Sequence, residues 1–532
     1  MGTLWFNGNI YTMDHEGETV EAVFTQNGHI IDTGSLEKLK HTYRESIQLE
    51  MDLAGKTMYP GFVDSHMHLI GFGETFIRLD LSRMRSKEEV LVAIATYAAH
   101  KKESEWIIGE GWNENNWKDS SVITKTDIDY VAPHHPVLLK RICRHVIVVN
   151  SKALEYACID RFTKSPVGGR IEKDRSGEVT GVLKDNAQDL VYEALPPIDI
   201  SYIEHALRKG IENSWRVGLV GAHTEDLSYY GSFQHTYAAF KKVIEEEKWR
   251  FRTHLLIHHK VIHEWKKAGH NFLSGSPFVE FGPMKIFVDG ALGGRTALLS
   301  QPYRDDTTTF GIAVHSLPDL QNLVQTARKY KLPIAAHVIG DQAFSSILNI
   351  MSTIPPLKGQ RDRLIHAQIL RKDLIEKVKQ LPVVIDIQPR FLATDFPWVI
   401  NRIGWERMDY SYAWRSLLQE GIKCAGGSDA PIEDANPLLG IHAAVTRTIP
   451  TDKSRTVYGQ EQKISMYEAV SLFTTGSAYA SYHENDRGKI KPHYTADFTV
   501  LDRDLFALED VDELLETKVA MTVVAGEIMY VG

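Results

Sequence analysis

One local pattern recurs along this chain of 532 residues and limits what it can fold into: an apolar run closes on a metal-binding side chain, and Gly, Asp or Pro follows. The side chains come in a fixed order: His66 and His68, then Lys285, His337, His366 and Asp429. The first two end the run from Met58 to His68, which reads as one strand. Successive strand side chains face opposite ways, so positions 66 and 68 project to one side and can hold one ion. Lys285 lies within Pro283–Gly290, His337 closes Leu332–His337, His366 closes Arg363–His366, and Asp429 follows the run that begins at Ile422. These runs read as buried strands rather than surface helices.

Each residue has a plainer reading on its own. The chain has 23 histidines, and a His-x-His pair is often only a half-exposed strand end. A lysine in an apolar strand can bury its stem and keep its ammonium in water. His337 and His366 can be satisfied core histidines, and Asp429 before Ala430-Pro431 can cap a helix or open a turn. The ordered set reads as a metal site, because histidine, carboxylate and lysine together suit zinc or a similar divalent ion.

The same runs count out the fold. With Leu219–His223, Phe251–Ile257 and Val383–Gln388 added, they make eight strands separated by helical stretches. Eight is the number that closes a (β/α)8, TIM-like barrel of the α/β class, with catalytic groups at the C-terminal strand ends. About 150 residues separate the first strand from the second, far beyond a usual βα connection, so an α/β subdomain is expected at about 80–200. Its Gly109-Glu110-Gly111-Trp112, Trp117, His145 and Val146–Val149 segments suggest a cap over the barrel mouth. Trp5–Thr12 and Ala22–Ile31, with Asn-Gly turns, resemble Ala496–Asp502 and Val519–Ile528, and the two sets are expected to pair into one β-sandwich. This divides the chain into 1–57 and 481–532 for the sandwich and 58–480 for the barrel with its insertion.

Composition narrows the partners. A net charge of −9 offers no basic field for nucleic acid or anionic lipid. A small, uncharged or modestly polar organic substrate is therefore expected rather than nucleic acid, and no apolar run reaches membrane-spanning length, so no membrane is expected either. Cys143, Cys158 and Cys424 have neither metal nor redox spacing and read as buried thiols in a reducing compartment. The first residues lack the basic and apolar regions of a signal peptide, which makes the cytoplasm the expected location. A homodimer is expected as the commonest closed assembly.

The segments Pro60–His68, Gly109–Trp112, Asn150–Leu154, Met284–Ala297, His337–Asp341 and Gly427–Pro431 together resemble the amidohydrolase superfamily. Within it, the chain is most similar to the YtcJ-like branch, related to N-substituted formamide deformylases, over nearly its whole length. Two departures bear on substrate specificity. Ile365 stands where the family usually carries Glu before the histidine, and Cys143-Arg144 precede His145 where Asp-Gly is usual. The resemblance implies a metal-dependent hydrolase of carbon–nitrogen bonds other than peptide bonds, with a CO2-derived carbamate on Lys285.

Charge supports the same site. Two divalent ions bring four positive charges, of which Asp429 and a bridging hydroxide offset two, so an unmodified Lys285 ammonium would be repelled. Burial lowers a lysine pKa, and the neutral amine can take up carbon dioxide to become an anionic carbamate. On this reading His66, His68 and Asp429 hold one zinc, His337 and His366 the other, and carboxylated Lys285 joins them. The metal-bound hydroxide attacks an amide or formamide carbonyl, while Asp429 acts as general base and then as acid toward the departing nitrogen. Trp112, His145, Asp289, Arg295 and Asp341 are further candidates for orienting substrate or ligands, against plain readings as turn, solvated charge or helix cap. Two rivals remain: a mononuclear-metal deaminase on the same barrel, against which Lys285 counts, and a non-catalytic regulatory barrel protein, which should have lost ligands.

Overall fold

The structure, a computed structural model, describes residues 2–118, 122–196 and 198–532. Eight strands form one all-parallel sheet in sequence order: β1 (Phe62–Met67), β2 (Leu219–Thr224), β3 (Arg252–His258), β4 (Val279–Phe287), β5 (Ile334–Val338), β6 (Asp362–His366), β7 (Val383–Ile387) and β8 (Lys423–Gly426). The sheet curls into a nearly closed barrel, with β8 returning beside β1. Helices such as Ile200–Arg216, Leu317–Lys329 and Asp341–Thr353 connect the strands and bury one face against it. Strands covered on both sides carry apolar residues at nearly every position, which is why these runs do not alternate.

The run from Met58 to His68 is two strands, not one. Thr57–Pro60 pairs antiparallel with Phe498–Leu501 in a different sheet, and only Phe62–Met67 enters the barrel. Gly61 is the joint. A Cβ there would lie 2.5 Å from Val220 Cγ2, so only glycine lets the chain pass this close to β2 as it changes sheets. Residues 58–60 therefore belong with the terminal sheet rather than with the barrel.

Both chain ends meet in that sheet, in the order Glu527–Val531, Val519–Val524, Phe498–Leu501, Thr57–Pro60, Gly2–Tyr11, Thr19–Gln26 and His29–Gly34, with Leu49–Asp52 also on the first strand. The strands run on as one hydrogen-bonded sheet, where the sequence suggests a two-sheet sandwich. The reason lies in Gly2–Tyr11, whose first half pairs with Leu49–Asp52 and whose second half pairs with Thr57–Pro60. Asn27-Gly28 makes the expected hairpin turn, both residues at positive φ. Asn7-Gly8 does not turn the chain. It forms a bulge, with Asn7 at φ 61° and the register shifting between Phe6 and Ile10.

The long connection after β1 holds a six-stranded sheet, ordered Gly169–Lys173, Val179–Asp185, Val146–Val149, Val137–Arg141, Ile107–Trp112 and Leu79–Asp80. The turn between Val137–Arg141 and Val146–Val149 reaches the barrel: Arg144 Nη2 donates to Gly71 O just beyond β1 and to Glu110 Oε2 at 2.6 Å. Of the cysteines only Cys424 is buried. Cys143 is half-buried in this turn and Cys158 is exposed after the helix Ser151–Tyr156, which corrects the expectation of three buried thiols. Among the described residues, no helix is long and apolar enough to cross a membrane.

Candidate metal centre

The six candidate ligands, scattered over the sequence, converge at the C-terminal end of the barrel. His66 and His68 come from the end of β1, Lys285 from near the end of β4, His337 from β5, His366 from the last position of β6, and Asp429 from the turn after β8. His66 Nε2 and His68 Nε2 each lie 3.4 Å from Asp429 Oδ1, and Lys285 Nζ lies 3.1 Å from His66 Nε2. His366 Nε2 stands 3.0 Å from His337 Nδ1. His66, His366 and Asp429 each bring a ligand atom, all within 4.8 Å of one another. His366 and Asp429 hold positive φ, at 79° and 60°. Such conformations cost of order 1–3 kcal/mol and persist where the surroundings over-determine them.

The hydrogen bonds behind the ligands show what the site is built for. His68 Nδ1 meets Glu225 O at 2.7 Å, His337 Nε2 meets Gly290 O at 3.2 Å, and His366 Nδ1 meets Gln388 Oε1 at 2.8 Å. Each partner is an acceptor, so each ring carries its proton on the outer nitrogen and turns a lone pair inward. Two lone pairs then face each other between His337 and His366. Asp429 Oδ1 is buried with no hydrogen-bond partner among the described residues. Acceptors aimed at acceptors in a buried site repel unless a cation sits among them, and this donor set fits divalent metal.

Electrostatics agrees. Burial, with nearby cationic groups, holds His66 and His337 well below the usual imidazole range, and burial pushes His366 to about 3, so all three are neutral. Burial lowers Lys285 to about 8, against the pull of Glu225, Asp429 and Asp386. Its side chain is fully buried, so the ammonium does not reach water as a snorkelling lysine would. Burial opposes charge on Asp429, but the hydrogen bond from His68 and the nearby Lys285 outweigh it and keep the carboxyl below its ordinary range.

Several supporting residues escaped the sequence reading. Asp64 accepts from His66 N at 2.9 Å and from Ser428 Oγ at 2.6 Å, tying β1 to the Asp429 turn. Arg363 bridges Asp386 on β7 and Ser65 O beside His66. Gln388 and Glu225 orient His366 and His68. All are polar residues at or near strand ends, which was the available signal. Ile365, the departure before His366, packs against Leu256 and Ala335, on the same face of β6 as Arg363.

The other candidates divide. His145 belongs to the site: its ring lies 5.2 Å from that of His337, and Asp185 Oδ1 holds Nδ1 at 2.7 Å. Asp289 stands behind His337, accepting from Leu298 N, Ile339 N and Gly340 N, and so braces the loop after β5. Three lie elsewhere. Trp112 is packed in the core of the inserted sheet. Arg295 is paired with Asp305 at 3.0 Å. Asp341 accepts from Ser300 and pairs with Arg371 at 2.6 Å, as a structural anchor would.

Comparison with known proteins bears on this geometry. The model of the Amidohydrolase family matches residues 49–530. YtcJ of Bacillus subtilis (strain 168) is 48% identical over 531 residues, covering 100% of this chain and 99% of that protein. The N-substituted formamide deformylase of Arthrobacter pascens is 25% identical over 545 residues, covering 98% and 97%. The crystal structure of a metal-dependent hydrolase from Pyrococcus horikoshii OT3 superposes with a TM-score of 0.78 at 27% identity, covering 96% of this chain and 99% of that one. The chain belongs to the amidohydrolase family.

Proposed function

From this membership we propose that the chain is a metal-dependent hydrolase that cleaves the carbon–nitrogen bond of a small amide or formamide. One observation carries the reading: four histidines, one lysine and one carboxylate from five strand ends come together at one buried spot. Likeness to the formamide deformylase supports the bond type, and likeness to the metal-dependent hydrolase supports the metal. His66, His68 and Asp429 would hold one ion, His337 and His366 a second, with Lys285 between them as its carbamate.

Zinc or a similar ion, when bound, supplies a Lewis acid and brings the pKa of water toward neutrality. The chain's own residues do the rest. Asp429 lines the cavity, and its carboxylate takes a proton from the attacking water, then returns it to the departing nitrogen. His145, pinned through Nδ1 by Asp185, presents Nε2 to the substrate. The inserted subdomain covers this end of the barrel and limits bulk water near the reacting carbonyl.

The test is metal content per chain by plasma mass spectrometry, for wild type and Lys285→Ala, purified without chelator and with bicarbonate. About two ions falling to one or none supports the bridged site, and turnover is then sought on N-substituted formamides. About one ion in both proteins removes Lys285 from the site and brings a mononuclear deaminase forward.

A further inference from the structure

The cavity above the ligands is walled by Arg141 and His145 of the inserted subdomain and by Phe391, Asp395, Trp398 and Glu433 from the loops after β7 and β8. Its charged groups are unequally matched. Arg141, 4% exposed, already has a carboxylate: Nε lies 3.0 Å from both oxygens of Glu114, and Nη2 donates to Asn113 Oδ1 at 3.1 Å. Glu433 lies 3.6 Å from the Arg390 guanidinium and accepts from Thr394 Oγ1. Asp395 makes no ion pair among the described residues, although Arg141 on the same cavity acts on it through space. Its Oδ2 accepts from two buried neutral donors, Gln368 Nε2 at 2.7 Å and Tyr412 Oη at 2.6 Å, and its Oδ1 meets no donor.

Asp429, 7% exposed and with Oδ1 unpartnered, opens into the same cavity, so Asp395 and the reacting atoms share one chamber. A half-buried carboxylate on the cavity wall, held by neutral donors beside apolar rings, is a ready partner for a cation. The molecule that enters this chamber is the substrate.

We infer that the substrate carries a cationic nitrogen, an ammonium or amidinium, which pairs with Asp395 while its apolar part lies against Phe391 and Trp398. This rests on the hydrolytic reading above, since it concerns the same cavity. Burial pushes the Asp395 carboxyl up to about 7, against the pull of Tyr412, Gln368 and the more distant Arg141, and a bound cation would draw it down.

Calorimetric titration of the zinc-loaded full chain tests this with three small probes: benzamidine as the cation, benzyl alcohol as the neutral control and benzoate as the anion. Benzamidine is expected to bind at least about tenfold more tightly than benzyl alcohol, and Asp395→Asn to remove that preference while leaving the alcohol unchanged. Benzoate binding best, equal binding of cation and alcohol, no benzamidine binding, or a preference that survives Asp395→Asn would each overturn the inference. If the variant does not fold, the order of the three probes on wild type decides alone. The readout is binding without turnover, whereas the hydrolytic reading stands or falls on metal content and turnover, so the two can fail separately.

Discussion

Lys285 Nζ lies 3.1 Å from His66 Nε2, although 219 residues separate the two in sequence. The amine and the imidazole meet only because β4 and β1 bring their C-terminal ends to one side of the barrel. The contact puts a buried lysine where a ligand to metal would stand.

Loading of the site should depend on both pH and bicarbonate. Burial brings the Lys285 amine to about 8, so its neutral fraction, the form that reacts with carbon dioxide, grows as pH rises through about 8. Metal-stripped protein is expected to take up zinc faster with bicarbonate present and faster above that pH than below it. Timed loading followed by metal analysis checks this, and uptake indifferent to both would leave the carbamate without support.

Gln388→Leu removes the acceptor that keeps the His366 proton on Nδ1. Loss of such an outer partner typically weakens metal binding by about 10–100-fold. Zinc affinity measured by chelator competition should fall in that range while far-ultraviolet circular dichroism stays that of wild type. Unchanged affinity would mean that Gln388 does not orient the ring.

Asp429→Asn preserves shape and removes the base. Loss of a general base costs about 10²–10⁴ in rate, so on the proposed hydrolytic reading turnover of an accepted substrate should fall by at least about a hundredfold. A variant within a few-fold of wild type would take the proton-transfer role away from Asp429.

Gly61→Ala places a methyl 2.5 Å from Val220 Cγ2 and 2.6 Å from Cγ1, both on a stiff β-branched side chain. Overpacking of this kind costs about 1–3 kcal/mol, read as a lower urea midpoint. Adding Val220→Ala should recover part of the loss, because the two sites share one contact. Additive losses would show that the close approach is not the cause.

The eight barrel strands were legible because a strand covered on both faces must be apolar at nearly every position, and such runs are short and bounded by turn residues. The candidate ligands were legible for a related reason: a histidine or carboxylate ending such a run is polar where the pattern asks for none. The break at Gly61 was not legible, since Thr57–Pro60 and Phe62–Met67 are equally apolar and only their partners, Phe498–Leu501 and β2, separate them. Asp64, Glu225 and Gln388 escaped because a single polar residue near a strand end reads equally well as part of a turn. Trp112, Arg295 and Asp341 stand in segments that look functional yet serve the inserted core, an ion pair with Asp305 and an anchor to Arg371.

The sequence by itself determined the strand order, the fold class and the donor types available to a metal, because these follow from local periodicity and residue chemistry. Tertiary structure alone decided which nitrogen of His68, His337 and His366 faces inward, since that depends on the carbonyls of Glu225, Gly290 and Gln388 far along the chain. It also decided that Arg141 pairs with Glu114 while Asp395 makes no ion pair among the described residues. Charge balance in a buried site is a sum over neighbours in space, and sequence separation says nothing about that distance.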